Sequence, residues 1–158
     1  NDVIHLDGNT DLILSTLWSR IELKDAYAVE HGVSDFRRIL NGDELIDWVR
    51  FNEEHEKCVE FIRRSVEDSS ANKIIVATHH VPSFGLMSHE FEGSKINGAF
   101  TSELKEYILQ SKIDCWIYGH SHRNIDKEIG RTLCVSNQLG YVFANEHLSF
   151  NRSKSIEL

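Results

Sequence analysis

The sequence predicts an α/β fold in a single domain. Two short apolar runs, the β-branched run 73–78 and the run 115–118, have the composition of strands buried inside a sheet. A helical pattern lies between them at 101–108, and a longer one at 52–68 precedes the first run. Strands that alternate with helices are typical of α/β proteins. The chain has 158 residues, of which 41% are hydrophobic, so we expect one core and one domain over 1–158.

The first third of the chain predicts a hairpin followed by short helices. Apolar stretches at 3–6 and 11–17 flank the turn-forming residues 7–10, which is the pattern of a β-hairpin or of two adjacent strands. Helical pieces are expected around 25–30 and 43–49. They are separated by breaks at Gly32 and Gly42, which interrupt the helical pattern.

A long amphipathic helix is predicted to begin at Asn52 and to end near Asp68. Asn52 is a good N-cap residue, and the two glutamates that follow it complement the helix dipole. Apolar side chains then recur at helical spacing: Cys58, Phe61, Ile62 and Val66. A polar turn separates this helix from the strand that starts at Lys73.

The second half predicts an irregular loop over 83–98, where three glycines occur without a sustained period. Thr101 or Ser102 is expected to cap the next helix, whose apolar stripe is Leu104, Tyr107 and Ile108. A hairpin is predicted around Ile129 and Gly130, and a last short strand over 155–158.

Cysteine content, charge and hydropathy indicate the compartment of the protein and the kinds of partner that are disfavoured. The three cysteines, Cys58, Cys115 and Cys134, are far apart and form no Cys-x-x-Cys pair, so we expect buried thiols and a reducing, cytoplasmic compartment. The net charge of −8 disfavours bulk attraction to nucleic acid or to anionic membranes. No apolar run approaches the roughly 20 residues that cross a bilayer. The chain opens at Asn1 on a strand-like run, which predicts a piece of a longer protein.

Histidines follow both of the predicted buried strands. His79 and His80 end the first strand, and His120 and His122 end the second. If the intervening helix is a crossover, the strands are parallel and these histidines meet at the sheet edge where α/β proteins bind ligands. Imidazole is a preferred ligand of Zn, Mn and Fe, and Gly119 allows a turn in which neighbouring histidines can reach two metals about 3.5 to 4 Å apart.

Two segments resemble motif blocks of the calcineurin-like metallophosphoesterases. The run Val-Ala-Thr-His-His-Val-Pro at 76–82 resembles the fourth block, and Tyr-Gly-His-Ser-His at 118–122 resembles the fifth, the Gly-His-x-His block. Segments 17–18, 97–100 and 136–141 also resemble flanking features of the family, so the resemblance spans nearly the whole chain. It implies the C-terminal half of a layered α-β-β-α sandwich with mixed sheets.

The resemblance implies specific roles for the four histidines. His79 and His120 match ligands of one metal, and His122 matches a ligand of the other. His80 matches a position that either supports the ligands or faces substrate, and it is the candidate catalytic residue. The implied cofactors are two divalent or trivalent ions, such as Mn, Fe or Zn. The implied activity is hydrolysis of a phosphomonoester or phosphodiester, with a phosphorylated small molecule or another phosphoester as substrate.

The chain departs from the family because three earlier motif blocks are missing. The family's Asp-x-His, Gly-Asp and Gly-Asn-His blocks supply the remaining ligands, including the carboxylate that bridges both metals. Residues 8–10 have the wrong third residue for Gly-Asn-His, and no Asp-x-His precedes Asp43. Three histidines alone hold at best one metal, so we expect this chain alone to be inactive. We also expect it to form a homodimer or to pair with a complementing N-terminal segment, because half a sandwich exposes an apolar edge.

A second function stays open, which is a non-catalytic protein-interaction scaffold of the same fold. In that case the four histidines either have no remaining metal-binding role or form one structural metal site. For the other histidines we expect surface or hydrogen-bonded core positions rather than ligand roles. They are His5, His31, His55, His89 and His147.

Overall fold

The computed structural model describes residues 1–157, and its largest feature is a six-stranded mixed sheet. The strands of the chain are β1 Asp2–Asp7, β2 Thr10–Ser15, β3 Leu40–Asn41, β4 Glu44–Leu45, β5 Lys73–Thr78, β6 Cys115–Ile117, β7 Lys127–Ile129 and β8 Thr132–Val135. The sheet order is β1-β2-β5-β6-β8-β7, while β3 and β4 form a separate hairpin. An α/β fold with a mixed sheet is therefore confirmed.

The four central strands of this sheet run parallel. β2 pairs with β5, β5 with β6 and β6 with β8, all in parallel register. β1 and β7 are antiparallel to their neighbours and close the two edges. Both predicted hairpins, β1 with β2 and β7 with β8, are confirmed. Because the central strands are parallel, their carboxyl ends lie at one edge of the sheet.

Three α-helices flank the strands: α1 Ala26–Gly32, α2 Trp48–Asp68 and α3 Lys105–Gln110. The predicted start of α2 is wrong, because the helix begins at Trp48. Asp47 caps it, and its carboxylate accepts a hydrogen bond from the Arg50 backbone N–H at 2.7 Å. Asn52 lies inside the helix and exchanges two hydrogen bonds with the Ile21 backbone, at 2.8 and 2.9 Å.

Three further expectations differ from the structure. The region 43–49 does not form a separate helix, because Asn41 and Gly42 belong to the β3–β4 hairpin and helical residues start only at Trp48. α3 begins at Lys105 without a side-chain cap, so neither Thr101 nor Ser102 caps it. Residues 155–157 are not in a strand, and Leu158 lies outside the described residues.

The loop between β5 and α3 is irregular, as predicted. It contains three short 3-10 helices, at Phe84–Leu86, His89–Phe91 and Asn97–Ala99. Its last part returns to the sheet, where the Val81 backbone N–H donates to the Phe100 carbonyl at 3.0 Å. This contact brings residues 97–101 against the residues that follow β5.

The larger of two hydrophobic clusters joins residues of α2 to residues of the sheet. Ile62 and Val66 of α2 are buried against strand residues such as Val76 and Trp116. Fully burying one such side chain stabilises a fold by about 1.5–3 kcal/mol. All three cysteines are buried and free, as predicted for thiols that fill core positions. Among residues 1–157, the structure contains no helix with the length and apolar character needed to cross a membrane.

Candidate metal centre

The residues that follow the four parallel strands converge at one edge of the sheet. β5 leads into His79 and His80, and β6 leads into the turn that contains His120 and His122. The Gly119 backbone N–H donates to the His79 carbonyl at 3.1 Å, which joins the two strand ends directly. The crossover expected from the sequence therefore places both histidine pairs at the same edge.

Three of the four candidate histidines form a cluster of rings. The ring centroids of His79 and His120 are 4.4 Å apart, and those of His80 and His120 are 4.5 Å apart. His79 and His80 meet edge to face at 5.1 Å. His80 is buried, whereas His79 is exposed, so the cluster is open to solvent on the His79 side.

The hydrogen bonds of His80 define which of its nitrogens carries the proton. The Thr16 carbonyl accepts from the His80 backbone N–H at 3.2 Å and lies 3.1 Å from Nδ1. A carbonyl can only accept, so Nδ1 is the protonated nitrogen and Nε2 carries the lone pair. Nε2 of His80 and Nε2 of His120 are buried, and neither has a hydrogen-bond partner among the described residues. A buried polar atom without a partner costs about 1–3 kcal/mol, so these nitrogens are suited to a ligand.

Backbone strain is concentrated at the same edge. His120 and His122 have φ values of 68° and 53°, and Leu17 and Trp18, which follow β2, have values of 66° and 52°. Left-handed conformations in residues other than glycine cost of order 1–3 kcal/mol each and cluster at functional sites. The histidines themselves make the turn after β6, and Gly119 does not have a positive φ, so the expected role of this glycine is not confirmed.

Aromatic side chains fix the orientation of the clustered rings. Phe100 stacks on His120 with centroids 4.6 Å apart. Trp18 stacks on His80 at 5.9 Å, and Phe51 of α2 meets the same ring edge to face at 5.8 Å. Phe51 has no signal in the sequence that marks it for this place beyond its apolar position on α2.

His55 supports the strained residues that follow β2. It is buried, and its Nδ1 donates to the Leu17 carbonyl at 3.0 Å. This matches the expectation of a hydrogen-bonded core histidine. Three others of that group lie at the surface: His5 is paired with Asp11, His31 is exposed at the end of α1, and His89 is exposed in the loop after β5.

His122 does not join the ring cluster. Its Nδ1 lies 2.9 Å from Oε2 of Glu146, and its ring packs edge to face on Tyr141 at 4.7 Å. Its backbone N–H donates to Oε1 of Gln138 at 2.8 Å. The structure therefore brings His79, His80 and His120 together and turns the side chain of His122 toward the segment after β8. Nothing in the local sequence pattern identifies Glu146 as its partner.

Partial or full desolvation of the three clustered rings lowers their pKa values, which favours the neutral imidazoles near pH 7. Desolvation, with a smaller effect of His79, lowers the pKa of His120 to about 4. Desolvation also lowers the pKa of His79, and it lowers the pKa of His80 well below its ordinary value. Neutral imidazoles can bind a metal ion without first losing a proton.

The described residues present a pair of clustered ring nitrogens but not a complete set of metal ligands. His79 and His120 are in ring contact, and the buried Nε2 of His120 has no hydrogen-bond partner among residues 1–157. Within residues 1–157, however, no group of three or more His, Cys, Asp or Glu side chains is arranged to hold a metal ion. Over the same range, no carboxylate is hydrogen-bonded to His79, His80 or His120.

Comparison with known proteins gives one distant relative. The chain is 27% identical, over 172 residues, to a protein of Acanthamoeba polyphaga mimivirus named "Uncharacterized protein L509". The alignment covers all of this chain and 59% of that protein, so the chain spans less than two thirds of the relative's length. No family model and no solved structure matches the chain.

The pH dependence of stability tests the burial of His55. Desolvation lowers the pKa of folded His55, so on acidification the unfolded chain takes up this proton first, from its ordinary value of 6.5 downward. We expect the free energy of unfolding to fall as the pH drops below about 7, with up to about 1.4 kcal/mol per pH unit coming from this residue. Urea denaturation of His55→Gln should show a shallower fall than the wild type.

The exposed His89 provides the matched control for that measurement. His89→Gln removes a solvent-exposed imidazole and should leave the pH dependence of the wild type unchanged. Equal slopes for His55→Gln and the wild type would show that His55 is not buried in its neutral form.

Proposed function

We propose that residues 1–158 are the C-terminal part of a calcineurin-like phosphoesterase domain, one half of its layered α-β-β-α sandwich. The parent activity is hydrolysis of a phosphomonoester or phosphodiester, with two metal ions such as Mn, Fe or Zn. The observation that carries this proposal is the contact of the His79 and His120 rings. Their centroids are 4.4 Å apart at the ends of adjacent parallel strands. The unpartnered Nε2 of His120 adds to it.

In this proposal His79 and His120 bind one ion and His122 binds the other. His80 is the candidate catalytic residue. Its burial and its two contacts with the Thr16 carbonyl favour a role in holding the His79 and His120 rings over direct contact with substrate. Bound ions of this kind lower the pKa of a coordinated water and clamp phosphate oxygens. The residues of this chain contribute imidazoles whose rings are held by aromatic and hydrogen-bond contacts.

Metal binding by the purified chain tests the ligand assignment. We expect Zn²⁺ or Mn²⁺ to bind with at most one ion per chain, because the described residues offer imidazoles without a bridging carboxylate. His79→Ala and His120→Ala should each abolish binding in isothermal titration calorimetry. The exposed His89→Ala should bind as the wild type does, and undiminished binding by both ring-cluster variants would refute the assignment.

Hydrolysis assays separate the catalytic proposal from the scaffold alternative. With Mn²⁺ and p-nitrophenyl phosphate or bis(p-nitrophenyl) phosphate, we expect this chain to show no turnover above that of His120→Ala, because the carboxylate ligands are missing. A longer form that carries Asp-x-His and Gly-Asn-His blocks upstream is expected to hydrolyse one of these esters. An upstream segment without those blocks, and without activity, would favour the protein-interaction scaffold.

The exposed edge of the sheet supports a partner chain or segment. β1 is an edge strand, and Ile4 and Leu6 on it are exposed apolar residues. Unprotected edge strands pair readily with other strands, so we propose that a second copy, or a complementing N-terminal segment, covers β1. Neither a membrane nor nucleic acid is indicated as a partner.

Light scattering of the purified chain tests this pairing. We expect a dimer that Leu6→Lys converts to monomer, because a charge on an edge strand opposes strand pairing. Leu23→Lys alters an even more exposed leucine outside the sheet and should leave the dimer intact. A wild-type monomer that persists at every concentration would count against the proposal.

A further inference from the structure

One carboxylate holds the histidine that lies outside the ring cluster. Oε2 of Glu146 lies 2.9 Å from Nδ1 of His122 and accepts from the Tyr141 backbone N–H at 2.6 Å. Its other oxygen, Oε1, accepts from Nη1 of Arg123 at 3.3 Å. The side chain of Glu146 is only 15% exposed, so water competes weakly for these contacts.

These contacts determine the tautomer of neutral His122. An ionised carboxylate can only accept hydrogen bonds, so the proton of the imidazole is on Nδ1. The lone pair is then on Nε2, which faces away from Glu146. In metal sites, a carboxylate behind a histidine fixes the tautomer and the ring orientation in this way.

The backbone between Gly140 and Glu146 is shaped to allow the contact. Gly140 and Asn145 are left-handed, with φ values of 62° and 59°, and they bend the segment back on itself. A Cβ atom at position 140 would lie 2.6 Å from Cβ of Glu146, 2.8 Å from its Oε2 and 3.3 Å from Cβ of His122. Only glycine therefore permits the carboxylate to reach the His122 ring.

Arg123 anchors the same carboxylate from the other side. Its guanidinium also donates to both oxygens of Glu90, with Nη2 at 3.2 Å from Oε2, and to the His122 carbonyl at 3.0 Å. Glu90 belongs to the irregular loop after β5. The ion pairs thus connect this loop to the turn that carries His122.

We propose that Glu146 is the positioning residue of His122, which it holds as the Nδ1–H tautomer so that Nε2 is the metal-binding atom. Gly140 is required because it leaves room for that carboxylate. The choice of tautomer depends only on contacts within this chain, whereas the use of Nε2 for a metal rests on the proposed function.

Nuclear magnetic resonance of the ¹⁵N-labelled chain tests the tautomer without a metal. At about pH 8, where an ordinary imidazole is neutral, we expect His122 to show one tautomer with a protonated Nδ1. The signals are assigned by their loss in His122→Asn. Glu146→Ala should lose this preference and give a mixture of tautomers, while Glu146→Gln should keep it, because the amide oxygen can still accept from Nδ1.

Two glycine variants distinguish loss of the Glu146–His122 contact from general destabilisation of the fold. Gly140→Ala should disturb the His122 tautomer as Glu146→Ala does, because its methyl group displaces the carboxylate. Gly42→Ala introduces a side chain at a similar φ, 68°, with no atom within 4 Å, so it carries the same backbone cost without the clash. We expect Gly42→Ala to retain the wild-type tautomer. Protonated Nε2 in the wild type, or no change in Glu146→Ala, would overturn the proposal.

Addition of Zn²⁺ to the same samples tests the His122 tautomer and the proposed metal-dependent function separately. We expect Zn²⁺ to shift the signals of His79 and His120, which hold the one ion of this chain in the proposed function, and to leave Nδ1 of His122 protonated. A Zn²⁺-bound Nδ1 on His122 would overturn the positioning role. If Zn²⁺ shifts no signal of His79, His120 or His122 while the Nδ1–H tautomer is present, the proposed phosphoesterase function fails and the tautomer assignment stands.

Discussion

The parallel pairing of the central strands is the constraint on which the candidate site depends. Ala77 on β5 pairs with Ile117 on β6, and Ile117 pairs with Val135 on β8, so the chain leaves all three strands at the same level of one sheet edge. Residues 41 positions apart in the sequence, such as His79 and His120, thereby come into ring contact. A shift of one residue in this register would turn every side chain to the opposite face of the sheet, so the hydrophobic core fixes the site as firmly as it fixes the fold.

The edge also concentrates features that are locally unfavourable. Leu17, Trp18, His120 and His122 adopt left-handed backbone conformations, and two ring nitrogens are buried without a partner among residues 1–157. Each of these costs of order 1–3 kcal/mol, which packing of the surrounding rings and the buried sheet must offset. Sequences specify a fold best when local preferences agree with it, and exceptions are concentrated at functional sites. The coincidence of strain with the histidine cluster is a physical reason, independent of any resemblance, to place function at this edge.

The sequence predicts the strands well because their signals are local. The β-branched run 73–78 forms β5 with the expected bounds, and the hairpins at both ends of the sheet follow from their turn residues. The start of α2 is not predictable in this way, since Asp47 and Asn52 are both good N-cap residues. A long-range contact decides between them, because Asn52 is engaged by the Ile21 backbone. Glu146 escapes prediction for the same reason, as its partner His122 lies 24 residues away with no period that relates them.

The charge of the available ligands determines whether the described residues can hold two metal ions close together. Two unit charges 4 Å apart repel by about 4 kcal/mol at an effective dielectric constant near 20, so two dications repel by roughly four times as much, about 16 kcal/mol. Neutral imidazoles do not reduce this repulsion, whereas a bridging carboxylate lies between the ions and offsets much of it. Glu146 is a carboxylate of the site, yet it is engaged by His122, Arg123 and the Tyr141 backbone. A second ion therefore requires an anionic ligand that residues 1–157 do not present to the ring cluster.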